Sequence, residues 1–240
     1  MDDGYQSNST LAFPVLKELE LPATIFISTA FVEQEELLWP DRLEFAINKS
    51  GSSTFELKKT TESKIRSELK SVPQDLRSEI IGNLESQLGG KLSLEGNIPE
   101  IYRPLNWEEI SRMIQSGLIS IGSHTHTHVI LTRCDEEKMR KELMLSKEII
   151  QRKTGLDGRL FCYPNGEVGD FNLQTKEVLK ETGYACGLTT VQGFNDKSSD
   201  VFELKRFGVR NQTDEVEFIM TLCRIKKFIS DLKQFFFHEK

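Results

Sequence analysis

An α/β fold built on a parallel sheet is what this sequence predicts, and two observations carry the expectation. Short apolar runs rich in β-branched residues alternate with longer stretches whose apolar residues recur at helical spacing, and the connections between them are short. At 240 residues with 38% hydrophobic content, the chain also has enough apolar side chains for a full-sized core. Both an open sheet and one closed into a barrel fit the alternation. One domain over 1–240 is expected, interrupted by a mainly helical insertion over 37–104.

Leu11, Val15, Leu16 and Leu19 recur at helical spacing up to Leu21, and Pro22 then stops the helix ahead of the strand-like run Ala23 to Ser28. From Leu37 to Pro104 the rhythm breaks into charged, amphipathic stretches such as 65–69 and 76–88, which is why an insertion is inferred. Asn106 is placed to cap a helix from Trp107, with Glu108 and Glu109 in its first turn and Gly117 past its end. A strand, Leu118 to Gly122, follows. Asp135 caps the next predicted helix, which runs to Gly155. The remaining expectations are a strand from Arg159 to Tyr163, a helix from Leu173 to Thr182 ended by Gly183, and a strand from Tyr184 to Leu188. A further strand over Val201 to Val209 and a terminal helix from Thr213 to about Phe236 complete the pattern.

Composition narrows the function. A formal net charge of -6 argues against a polyanion such as nucleic acid as the main partner. The four cysteines, Cys134, Cys162, Cys186 and Cys223, form no CxxC pair, so neither a zinc knuckle nor a dithiol redox site is indicated. No apolar stretch is long enough to span a membrane, and the N-terminus lacks a basic region followed by an apolar one. As written, the chain reads as cytoplasmic.

Three of the four histidines fall within His124-Thr125-His126-Thr127-His128, directly after a predicted strand. Imidazole is the commonest biological metal ligand, and catalytic groups of parallel sheets collect at the carboxyl ends of strands. In an extended strand all three histidines would face one way, whereas in a helical turn only His124 and His128 share a face. Imidazoles alone would hold a divalent ion weakly, so a carboxylate partner is expected, and Asp2-Asp3-Gly4-Tyr5 offers two. One could bind metal while the other takes a proton from water. The turn Tyr163-Pro164-Asn165-Gly166 lies at a second strand end.

Together these motifs resemble the polysaccharide deacetylases, the NodB-homology group of carbohydrate esterase family 4. Asp2-Asp3-Gly4-Tyr5 is similar to the second half of the family's Thr-Phe-Asp-Asp-Gly-Tyr motif, the histidine cluster to its His-x-x-x-His motif, and Tyr163-Pro164-Asn165-Gly166 to its Pro-x-Gly motif. Leu21 to Phe26, Trp107 and Thr182-Gly183-Tyr184 supply similar context. The resemblance implies a distorted parallel (β/α) barrel. It also implies Asp2 as general base, a metal held by Asp3, His124 and His128, an oxyanion held by the Asn165 backbone amide in a turn fixed by Pro164, and Tyr5, Tyr163 and Pro164 as substrate-binding residues of the pocket wall. His126 is expected to point away. The implied cofactor is a divalent ion, zinc by default and another first-row ion otherwise; the implied substrate is an acetylated glycan.

The sequence departs from the family in three places. Met1 stands where the first motif has its phenylalanine, so the barrel is expected to lack its first strand and to anchor the aspartates weakly; an exported or membrane-anchored protein is expected if a segment precedes it. Phe161-Cys162 replaces an arginine before the third motif, and Arg206 resembles a late arginine that would pair with Asp2. The late Leu-x-x-His motif that supplies an acid is missing, with His238 the remaining histidine. A metal-dependent amidohydrolase, a non-haem iron oxygenase and a degenerate glycan- or partner-binding module are the alternatives. The amidohydrolase would need further late histidines, and the oxygenase a run of short strands. Oligomeric state is left open.

Overall fold

A computed structural model of the chain describes residues 1–50, 55–95, 98–209 and 214–223. Four strands form one parallel sheet in chain order: β1 Ala23–Ile27, β2 Ile119–Ser123, β3 Leu160–Cys162 and β4 Cys186–Leu188. Every crossover carries at least one helix, as a parallel connection requires. The expected parallel α/β arrangement is therefore present. No hydrogen bonds join β1 to β4 among the described residues, so the ladder itself is an open one.

The β1 edge is not bare. Met1 N donates to the Thr24 carbonyl at 3.0 Å, Phe26 N to the Met1 carbonyl at 2.8 Å and Ser28 N to the Asp3 carbonyl at 3.1 Å. These alternate as in a parallel ladder, so the two aspartates, expected to be weakly anchored, are fixed through their backbone.

Helices pack against the sheet face that carries Ile25, Ile27, Ile119, Ile121 and Phe161. Before β1 comes α1, Phe13–Glu18, entered through a π-helical turn at Asn8–Ala12. This is shorter than the expected helix, because Pro14 has no N–H to give to the Thr10 carbonyl and the preceding turn widens. After β1 come α2, Thr29–Val32, then α3, Trp39–Lys49, α4, Phe55–Lys70, and α5, Gln74–Leu88. The last three share a small core of Leu43, Ile47, Leu69 and Ile81, and Arg42 forks onto Glu85 at 3.0 and 2.8 Å. The cap expected at Asn106 forms a full capping box with Glu109 and opens α6, Trp107–Gln115. Asp135 caps α7, Glu136–Thr154, and Gly155 ends it with a left-handed φ of 74°. Leu173–Glu181 is α8.

One expected strand is absent. Residues 201–203 turn, because Asp200 Oδ1 takes the Phe202 N–H at 2.8 Å and its carbonyl takes that of Glu203 at 2.9 Å, leaving a single bridge between Leu188 and Leu204. An Asx turn has outcompeted the ladder. The chain divides into two compact units, 1–206 and 207–240. In the second, α9 spans Glu215–Leu222 with Asp214 as its cap; position 213 and the stretch from 224 to about 236 of the expected terminal helix lie outside the described residues.

The sheet core is tight where it approaches the site. A Cβ on Gly122 would lie 2.5 Å from Phe26 Cδ1 and 3.0 Å from the Leu160 carbonyl oxygen. Gly122→Ala is therefore expected to destabilise the protein by about 1–3 kcal/mol, through overpacking against a backbone that cannot yield. Urea denaturation measures this; an unchanged midpoint would contradict the packing described.

Candidate active site

Asp3, at the edge of β1, meets the two outer histidines of the cluster. Its Oδ1 lies 3.3 Å from His124 Nε2 and 3.2 Å from His128 Nε2, and these ligand-type atoms all fall within 4.8 Å of one another. The backbone curls after Ser123 to allow it: Thr125 and His128 take left-handed φ values of 64° and 55°. His126 consequently leaves the site, its Nδ1 sitting 2.8 Å from Thr29 Oγ1 and its Nε2 3.4 Å from Glu35. His124 Nδ1 donates to the Cys162 carbonyl at 2.7 Å, which fixes the ring with its Nε2 facing Asp3. Burial would raise the Asp3 carboxyl, but hydrogen bonds from the two imidazoles outweigh it and hold it well below the usual carboxylate range. Two imidazoles and an ionised carboxylate converging in this way fit a first-row divalent ion.

The backbone turns directly after Asp2, with Asp3 at a left-handed φ of 74°, and Asp2 has a different partner. Arg206 forks onto it, Nη1 to Oδ1 at 2.9 Å and Nη2 to Oδ2 at 2.5 Å, while Arg206 Nε donates to the Thr189 carbonyl at 2.8 Å. Cys162 Sγ lies 3.8 Å from Asp2 Oδ2. Burial pushes this carboxyl up, but the guanidinium overrides it and lowers it below its ordinary value. Both aspartates and both outer histidines line one cavity of about 410 Å³. Its other walls include Tyr5, Asn165 and Arg206, together with Trp39, Asp41, Glu44, Arg66 and Lys70 from α3 and α4.

The polysaccharide deacetylase family model matches residues 1–187. The chain belongs to the polysaccharide deacetylase family. YxkH of Bacillus subtilis (strain 168), a protein named for the same family, is 30% identical over 105 residues, which are 44% of this chain and 36% of that one. The match thus spans about a third of the curated relative's length. Among solved structures, the Streptococcus pyogenes deacetylase PplD in complex with acetate matches with a TM-score of 0.60 and 17% identity, covering 92% of this chain and 67% of that one. The deacetylase domain of BpsB from Bordetella bronchiseptica matches at 0.55 and 20% identity, covering 86% and 68%. At such identities these two establish the fold alone.

Within this member of the family, most of the residues singled out by sequence come together. Asp2, Asp3, Tyr5, His124, His128, Asn165 and Arg206 all reach the cavity. Tyr163 lines it too, although it is 1% exposed, donates its hydroxyl to the Phe202 carbonyl at 2.9 Å and stacks on Phe171. Pro164 is a correction: it is buried and outside the cavity wall, and it acts on the turn, its carbonyl accepting from Gly166 N at 2.7 Å. Asn165 holds a left-handed φ of 62° with its side chain on Asp170.

Glu142 was missed. From α7 its carboxylate accepts the backbone N–H groups of His126 and Thr127 at 2.9 and 2.8 Å and the Thr127 hydroxyl at 2.7 Å, pinning the middle of the histidine loop. Gln74, from α5, also donates to that hydroxyl at 2.9 Å. The available signal was a carboxylate on the apolar stripe formed by Met139, Leu143, Ile149 and Ile150, where an unpartnered charge is too costly to leave.

Four substitutions separate these positions. His124→Ala and His128→Ala should each abolish tight zinc binding in a chelator-competition titration, whereas His126→Ala should leave it nearly intact. Glu142→Ala should weaken it about 10–100-fold, as loss of groups that orient metal ligands does. Wild-type affinity in Glu142→Ala would mean that the loop holds its shape without the carboxylate.

Proposed function

We propose that this protein is a metal-dependent hydrolase that removes acetyl groups, N-acetyl above all, from a sugar polymer or polysaccharide precursor and releases acetate. The observation that carries this reading is the division of labour between two adjacent carboxylates. Asp3 faces His124 and His128, while Asp2, in the same cavity, is held apart by Arg206.

Asp3, His124 and His128 would hold the ion, zinc by default for this donor set. When bound, such an ion polarises the acetyl carbonyl and makes water easier to deprotonate. Asp2 is the base that takes the water's proton, and Arg206 keeps it ionised and aimed. The backbone amide of Asn165 supports the oxygen on which negative charge develops, in a turn shaped by Pro164. Tyr5 stands in the wall. Residues 37–104 act as an insertion whose helices close one side of the cavity, and a volume of about 410 Å³ suits a sugar-sized group.

Acetate release from acetylated chito-oligosaccharides, assayed with zinc, tests the reading. Asp2→Asn should retain stoichiometric metal by elemental analysis yet lose about 10²–10⁴ in kcat. Full rate in that variant would remove Asp2 from the mechanism, and bound metal without turnover on any acetylated sugar would favour a binding module.

A further inference from the structure

Hydrolysis of an acetamide needs a proton for the departing amine, and the described histidines are committed elsewhere. His124 and His128 face Asp3, His126 is turned toward Thr29 and Glu35, and His238 lies outside the described residues. We propose that Asp41, in the first turn of α3, is the general acid that protonates the leaving amine. This rests on the deacetylase reading above and adds to it the source of the proton.

Placement carries the argument first. Asp41 lines the same cavity as Asp2, Asp3, His124 and His128, but it arrives from α3, on a wall separate from the sheet end that carries the base. It is fixed there: the residue is 6% exposed, and the Tyr5 hydroxyl lies 2.8 and 2.9 Å from its two oxygens. Among the described residues no lysine or arginine lies within ion-pair distance of it, because the neighbouring Arg66 is directed to Glu62 and Glu44. A buried carboxyl without a cation is the form in which an acid keeps its proton.

The electrostatics agree. Burial pushes the Asp41 carboxyl up to about 7; the Tyr5 hydrogen bond and Arg66 oppose this, while Asp3 and Glu44 reinforce it. Tyr102 also faces it, with its own hydroxyl pushed up. At neutral pH a large share of Asp41 therefore carries a proton, whereas Asp2 is held ionised by Arg206. Two carboxyls in one cavity whose surroundings drive them apart are the pattern of an acid and a base.

The step balances. Asp2 takes one proton from the attacking water, whose oxygen bonds to the acetyl carbon. As the carbon–nitrogen bond breaks, its electron pair stays on nitrogen, and the Asp41 O–H proton goes to that nitrogen. Asp2 then releases its proton to solvent and Asp41 regains one, so that one water is consumed and acetic acid and the amine are formed.

The test compares two substrates of the zinc-loaded full chain: an acetylated chito-oligosaccharide, whose amine must be protonated to leave, and 4-nitrophenyl acetate, whose phenolate leaves without a proton. Asp41→Asn should lower the ratio of amide to ester turnover by about 100-fold or more. Asp41→Glu, which restores the acid, should recover most of that ratio, and it covers the case in which the asparagine variant fails to fold. Parallel loss on both substrates, unchanged amide turnover, or no recovery in Asp41→Glu would overturn the assignment. A wild-type protein that hydrolyses the ester but no acetylated sugar would instead sink the deacetylase reading itself.

Discussion

Because β1 is hydrogen-bonded on both edges, to the backbone of residues 1–3 on one side and to β2 on the other, three stretches of chain end at the same level. Asp3 ends the first, and Ser28 and His124 directly follow the other two. The pairing continues past the strands themselves: His124 N donates to the Ile27 carbonyl at 2.9 Å, and Ala30 N to the His126 carbonyl at 2.9 Å. Register therefore decides chemistry. A slip of one residue in either pairing would exchange Asp2 for Asp3, or Ser123 for His124, and point the wrong side chain into the cavity.

Adjacent carboxylates in one low-dielectric site would repel if both faced the same way. Each instead has its own partners, the imidazoles for Asp3 and the guanidinium for Asp2. Cys162 leaves room beneath Asp2, its Sγ 3.8 Å from Oδ2, and the counter-charge arrives from beyond β4, braced by the Thr189 carbonyl.

What the sequence disclosed follows from how local each signal was. The histidine cluster, the paired aspartates, the Asn106 capping box and the Gly155 stop are written within a few consecutive residues, and each depends on backbone geometry that the neighbouring residues set. The failures were equally physical. The strand expected over 201–209 lost to the Asp200 side chain, and the first helix was shortened by Pro14. Pro164 was assigned to the wall because adjacency to Asn165 does not reveal which side of a turn is buried. Asp41 could not be read as a site residue and Glu142 only as a carboxylate in need of a partner, since their partners lie 15 or more positions away and only folding brings them together.

Six described non-glycine residues have positive φ, and four of them, Asp3, Thr125, His128 and Asn165, are at this one site. Each such conformation costs on the order of 1–3 kcal/mol for an ordinary side chain, most of all for a β-branched one like Thr125. Glycine would relieve that strain at any of the four, and at each it would delete a side chain the cavity or its loop uses. A lineage drifting under selection for stability alone would therefore lose these residues first. Their presence marks the site as a place where stability has been surrendered for a fixed arrangement of atoms.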